Sequence, residues 1–232
     1  MPDFSPKTLP PAGNPPAGCR DSPGKQGALP ASARGAPETL TRRAPLWVVV
    51  LLSVHAALLV WGALRQSPTS VEARLLPSGI SYWRFGRFDL YPVNPPLVPL
   101  VSSLPMLVAC PKTDWTGFWE SPGARPEFAI APQFAEANGE RTFWLFTLAR
   151  WACMPLMLLG GYVCYRWAGE LYGRAAALVA LGLWCFSPNL LGHGQLISSD
   201  AAAASLGVCA AYLFWGWLRR PGWRATLAAG LA

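Results

Sequence analysis

Two carboxylates stand at borders between apolar runs and polar segments. Glu72 follows the run PLWVVVLLSVHAALLVWGAL, and Asp200 directly precedes AAAASLGV. A carboxylate in such a place can accept a proton from an attacking hydroxyl as a general base. Each also has a structural alternative. Thr69-Ser70-Val71-Glu72 has the T-x-x-E spacing of a capping box, in which the glutamate reaches back to the cap N–H. Ser198, Ser199 and Asp200 can cap the helix that the alanine run begins. His193, between Gly192 and Gly194, can touch a phosphate or a metal, or simply pack. No second histidine lies nearby to complete a metal-ligand pattern. Arg74, Arg84 and Arg87 follow Glu72 closely and can hold an anion or snorkel to lipid headgroups.

The elements that must position these groups are set by apolar length. Of the 232 residues 52% are hydrophobic and only 13% charged, about half the charge of an ordinary soluble domain. A helix needs roughly 20 predominantly apolar residues to cross the hydrocarbon of a bilayer. Four stretches approach this: Pro45 to Leu64, Thr142 to Tyr165, Ala175 to Cys185 with an extension toward Leu191, and Ala201 to Leu218. The first lies too far from the N-terminus and is too long for a signal peptide. The expected fold class is therefore all-α, a polytopic transmembrane helical bundle with an outer loop carrying interfacial helices. Residues 1–44, rich in Pro, Gly, Ala and Ser, form a disordered cytoplasmic tail in this reading, and residues 45–232 form the membrane domain.

Between the first two spans, Arg65 to Arg141 mixes charge, aromatics and prolines. Ser70 to Phe88 reads as a short interfacial helix interrupted at Pro77, and Pro95 to Cys110 as a re-entrant or juxtamembrane helix. Arg166 to Arg174 and the stretch after Leu218 carry arginines, whereas Ser187 to Asp200 has no Lys or Arg. The positive-inside rule then places the N-terminus, Arg166 to Arg174 and Arg219 on the cytoplasmic side, with the two polar segments facing out. It also accounts for the net charge of +7 without nucleic acid. Cys153, Cys164, Cys185 and Cys209 fall within apolar runs, so the six cysteines do not form a disulfide framework. Arg224 to Ala232 begins a further apolar stretch without completing a span, which reads as a fragment. Inside the spans only His55 and Arg150 are ionisable in a way that membrane depth makes costly, and His55 is expected to bond a neighbouring helix.

Taken in order, SPTSVEARLLPSGISYWRFGRFDLYPVNPPLVPL and SPNLLGHGQLISSD resemble the outer segments of membrane glycosyltransferases with the class C fold. The likeness is to the protein O-mannosyltransferase and lipid A aminoarabinose transferase relatives, over Pro45 to the end. Those relatives carry Asp-Glu after the first span, then a Pro-Pro-Leu segment, then a second acid after the third span. Here Val71-Glu72 stands where Asp-Glu would fall, Asn94-Pro95-Pro96-Leu97 matches the Pro-Pro-Leu segment, and Asp200 matches the second acid. The resemblance implies transfer of a sugar from a polyprenyl phosphate to an acceptor that the residues do not identify, with Asp200 and Glu72 as catalytic acids. Arg74, Arg84, Arg87, Asn94 and His193 would bind substrate, and a divalent metal is an open requirement. A soluble nucleotide-sugar enzyme is unsupported, because a glycine-rich phosphate loop is absent. The alternative is a non-catalytic or truncated membrane protein of the same fold, which Val71 favours. A transporter is a more distant rival.

Overall fold

The longest apolar runs become the longest helices. In the computed structural model, residues 44–119 and 125–231 are described, and the proposed tail of residues 1–44 lies almost entirely outside them. Among the described residues the regular structure is helical throughout. Helix α1 is Ala44–Arg65, α2 Glu72–Phe85, α3 Leu97–Ser102, α4 Met106–Ala109, α5 Thr116–Trp119 and α6 Glu127–Asn138. Then follow α7 Arg141–Tyr172, α8 Arg174–Phe186, α9 Pro188–Gly194, α10 Ser199–Arg219 and α11 Trp223–Leu231. Three helices, α1, α7 and α10, are long and apolar enough to cross a membrane. The pair α8 and α9, bent by 53°, makes a fourth if it is one span.

Several boundaries differ from expectation. The stretch 166–174, expected as a loop, is mostly the last turns of α7, which runs 32 residues. Polar residues there continue a helix already nucleated, and the chain breaks only at Gly173, whose φ of 87° suits a residue without Cβ. Pro77 does not interrupt its helix but lies inside α2, whose end falls instead at Gly86 with φ 64°. The Ser78 hydroxyl donates to the Arg74 carbonyl at 2.7 Å in the same turn. The 95–110 segment breaks into α3 and α4 around Ser103 to Pro105. Half of the 187–200 segment is α9 rather than loop, and α6 was not anticipated at all.

The two largest apolar cores hold most of these helices. One joins α2, α3, α4, α6, α7 and α10 through Leu75, Leu76, Ile80, Val98, Met106, Phe134, Phe146 and Ala202. The other joins α1, α7, α8 and α10 through Leu59, Ala63, Met154, Met157, Trp184 and Ala201. Close approach depends on glycine. A Cβ at Gly79 would lie 2.0 Å from the Pro99 carbonyl oxygen, so α2 and α3 touch backbone to backbone. His55 is fully buried, and its Nδ1–H donates to the Cys185 carbonyl at 2.9 Å, tying α1 to α8. The five described cysteines, Cys110, Cys153, Cys164, Cys185 and Cys209, are free thiols.

Candidate functional site

Arg150 lies in α7, about 14 Å from its start at 1.5 Å per residue, and is fully buried. An arginine there demands acceptors for five N–H groups. Its Nε and Nη2 donate to the two carboxylate oxygens of Glu72 at 2.7 and 2.8 Å. Its Nη1 donates to the carbonyls of Ala63 and Gln66 at 2.8 and 2.7 Å, and Nη2 also to that of Ser67 at 3.0 Å. The guanidinium therefore closes the C-terminal end of α1, where helix carbonyls lack partners and a cation is favoured.

Glu72 is equally occupied. Beyond Arg150 it accepts from the Ile197 N–H at 2.9 Å and the Thr69 N–H at 2.9 Å. The Glu72 N–H donates in return to Thr69 Oγ1 at 3.3 Å, which completes the reciprocal capping box. Burial raises the pKa of this carboxyl, but the hydrogen bonds from Arg150, Ile197 and Thr69 outweigh burial and hold it below its ordinary value. A carboxylate with four short donors and 1% exposure is poorly placed to take a proton from a substrate. Its geometry fastens four segments together: the end of α1, the start of α2, α7 and the turn before α10.

The polar pocket lies beside this node. It has a volume of about 280 Å³ and is lined by Thr69, Val71, Asn94, His193, Leu196, Ile197, Ser198, Ser199 and Asp200. The structure thus brings Asp200, His193 and Asn94 together and leaves Glu72 behind the wall, held through Thr69 and Ile197. Val71, not Glu72, faces the pocket. Asp200 is exposed in the first turn of α10, where a negative charge complements the helix dipole. The cap itself is Ser198, whose side chain accepts from the Ala201 N–H at 3.4 Å. The amide of Asn94 donates to Tyr91 Oη at 3.3 Å.

The three arginines diverge. Arg74 borders a second, mostly apolar cavity of about 560 Å³, lined also by Pro68, Ser70, Ala73, Phe128, Ala131 and Phe146 among others. Its Nε donates to the Ser70 carbonyl, and its guanidinium stands 4.9 Å from the centre of the Phe128 ring. Arg84 donates to Thr113 Oγ1 at 2.8 Å and borders neither cavity. Arg87 pairs with Asp89 and lies over Phe118, also away from both. Among the described residues no three of His, Cys, Asp and Glu converge as metal ligands, and the pocket offers only His193 and Asp200 of that kind. Arg150 is the residue whose role the motifs did not convey. Its signal was its place in an apolar span, which predicts a buried carboxylate partner.

No family model, curated protein or solved structure matches the chain.

Proposed function

We propose that the chain belongs to a polytopic membrane protein that transfers a sugar from a polyprenyl phosphate, with Asp200 as the general base. One observation carries this reading. The segment Pro68 to Val71 separates two cavities, with Thr69 and Val71 on the polar one and Pro68 and Ser70 on the apolar one. A lipid-linked sugar needs that pairing: an apolar trough for its chain beside a polar chamber for its sugar. In the reaction, an acceptor hydroxyl forms a bond to the anomeric carbon while the bond from that carbon to the phosphate oxygen breaks. The proton goes to the Asp200 carboxylate and the electron pair leaves with the phosphate. Arg74, at the rim of the apolar cavity, is placed to offset the charge that develops there. Asn94 and His193 supply hydrogen bonds to the sugar.

A second reading, a non-catalytic relative, is favoured by Val71, an apolar residue on the pocket wall where the resembled enzymes carry an acid. Both readings are tested together. Purified protein is offered a polyprenyl-phosphate hexose, and transfer to hydroxyl-bearing acceptors is followed by mass spectrometry. Asp200→Asn, which keeps the side chain's shape and leaves the Ser198 cap in place, should lower transfer by at least a hundredfold, in the range expected for loss of a general base. Wild-type activity surviving in Asp200→Asn rejects the base assignment. Absence of transfer by the wild type, with transfer by Val71→Asp, supports the non-catalytic relative.

A further inference from the structure

The far end of the helical body, opposite the polar pocket, carries a group of arginines at the helix ends. There α7 and α10 finish side by side, and Tyr212 Oη on α10 donates to Glu170 on α7 at 2.6 Å. Helix α11 is joined to α10 by Trp217 Nε1–H donating to Thr226 Oγ1 at 3.0 Å. A cleft of about 200 Å³ opens here, lined by Glu170, Trp215, Gly216, Arg219 and Arg220. A Cβ at Gly216 would meet nothing within 4 Å, so this wall of the cleft is open.

The charges around it are unbalanced. Arg219 and Arg220 line the cleft beside Glu170, the one carboxylate among its lining residues, which is already engaged by Tyr212 and by Arg166 at 3.5 Å. The Arg219 guanidinium is held 4.8 Å over the Trp215 ring, an arrangement that fixes its direction without consuming its N–H donors. Exposed apolar side chains lie on the same helix ends: Leu171 and Tyr172 close α7, Leu218 precedes Arg219, and Trp223, 70% exposed, opens α11. A site for a free anion has no use for apolar neighbours, whereas a phospholipid brings acyl chains with its phosphate.

We infer that this cleft binds the headgroup of an anionic phospholipid, with Arg219 and Arg220 on the phosphate and the exposed aromatic and leucine side chains against the acyl chains. The site is separate from the polar pocket, and the inference does not rest on glycosyl transfer. The test uses the purified full chain in nanodiscs containing phosphatidylcholine and phosphatidylglycerol, with co-purified lipid identified by native mass spectrometry. The wild type should retain phosphatidylglycerol in preference to phosphatidylcholine. R219Q/R220Q should weaken that retention about thirtyfold, as expected for two basic residues near an anionic lipid. R219K/R220K should keep most of it, and R65Q, at the opposite end, should change nothing. Excess glycerophosphate should not displace the lipid. Equal retention of both lipids by the wild type overturns the inference without reference to any variant. So does undiminished retention by R219Q/R220Q, and displacement by glycerophosphate would mark a site for soluble anions instead.

Discussion

Glu72 and Arg150 each take the full complement of bonds their chemistry allows, and neither can be replaced by a near-isostere without leaving the other stranded. In Glu72→Gln the amide places N–H donors against donors and leaves the guanidinium without its counter-charge. Breaking a buried pair in this way costs about 3–5 kcal/mol. Thermal unfolding in detergent should shift accordingly, while the paired change Glu72→Leu with Arg150→Met should recover part of the loss. The pH dependence has a definite sign. Because the folded carboxyl lies below its ordinary value of 4.5, its stabilisation is complete above that value and is lost as pH falls through the folded pKa. A pH series of melting temperatures should therefore show a steeper acid limb in the wild type than in Glu72→Gln. Parallel curves for the two proteins would remove Glu72 as the source. The capping box was legible from T-x-x-E alone. The arginine that shares the same carboxylate was not, since 78 residues separate the two and no local pattern links them.

At the scale of elements, length and apolar content located α1, α7 and α10 well, because crossing a bilayer imposes a length that sequence displays directly. The ends were less legible. Arginine and glutamate at 166–170 suggested a loop, yet a helix tolerates polar residues wherever they are exposed, and only Gly173 stopped it. Helix α6 was missed because its residues, EFAIAPQFAEAN, include Pro132 and follow a proline-rich stretch. Its burial comes from tertiary contact of Ile130 and Phe134, which no local rule reveals. The contact of α2 with α3 gives a sharp prediction. Gly79→Ala places a methyl 2.0 Å from a backbone oxygen that cannot rotate away. It should destabilise by about 1–3 kcal/mol, as overpacking does. Gly192→Ala meets open space and should leave the melting temperature near that of the wild type.

For the molecule as a whole, the polar pocket and the basic cleft sit at opposite ends, which makes topology a decisive measurement. The positive-inside rule expects the arginine-rich end on the cytoplasmic side, in which case single cysteines at Gly192 and Trp115 should react with impermeant maleimide from outside intact cells. A cysteine at Tyr172 should react only after permeabilisation. The reverse pattern would invert the orientation. The same ion pair also bears on how the chain enters a membrane. Arg150, a cation in an apolar run, resists partition into lipid, although at the level of the end of α1 the cost is below the roughly 2.5–3.5 kcal/mol of a helix centre. Its carboxylate partner is encoded 78 residues earlier, so at about 5–20 residues per second it leaves the ribosome roughly 4–16 s sooner. Synthesis order thus delivers the acceptor before the donor, so that α7, on entering a bilayer, should do so beside a neighbour already able to neutralise Arg150. A chain emerging in the opposite order would expose a bare cation to the insertion machinery.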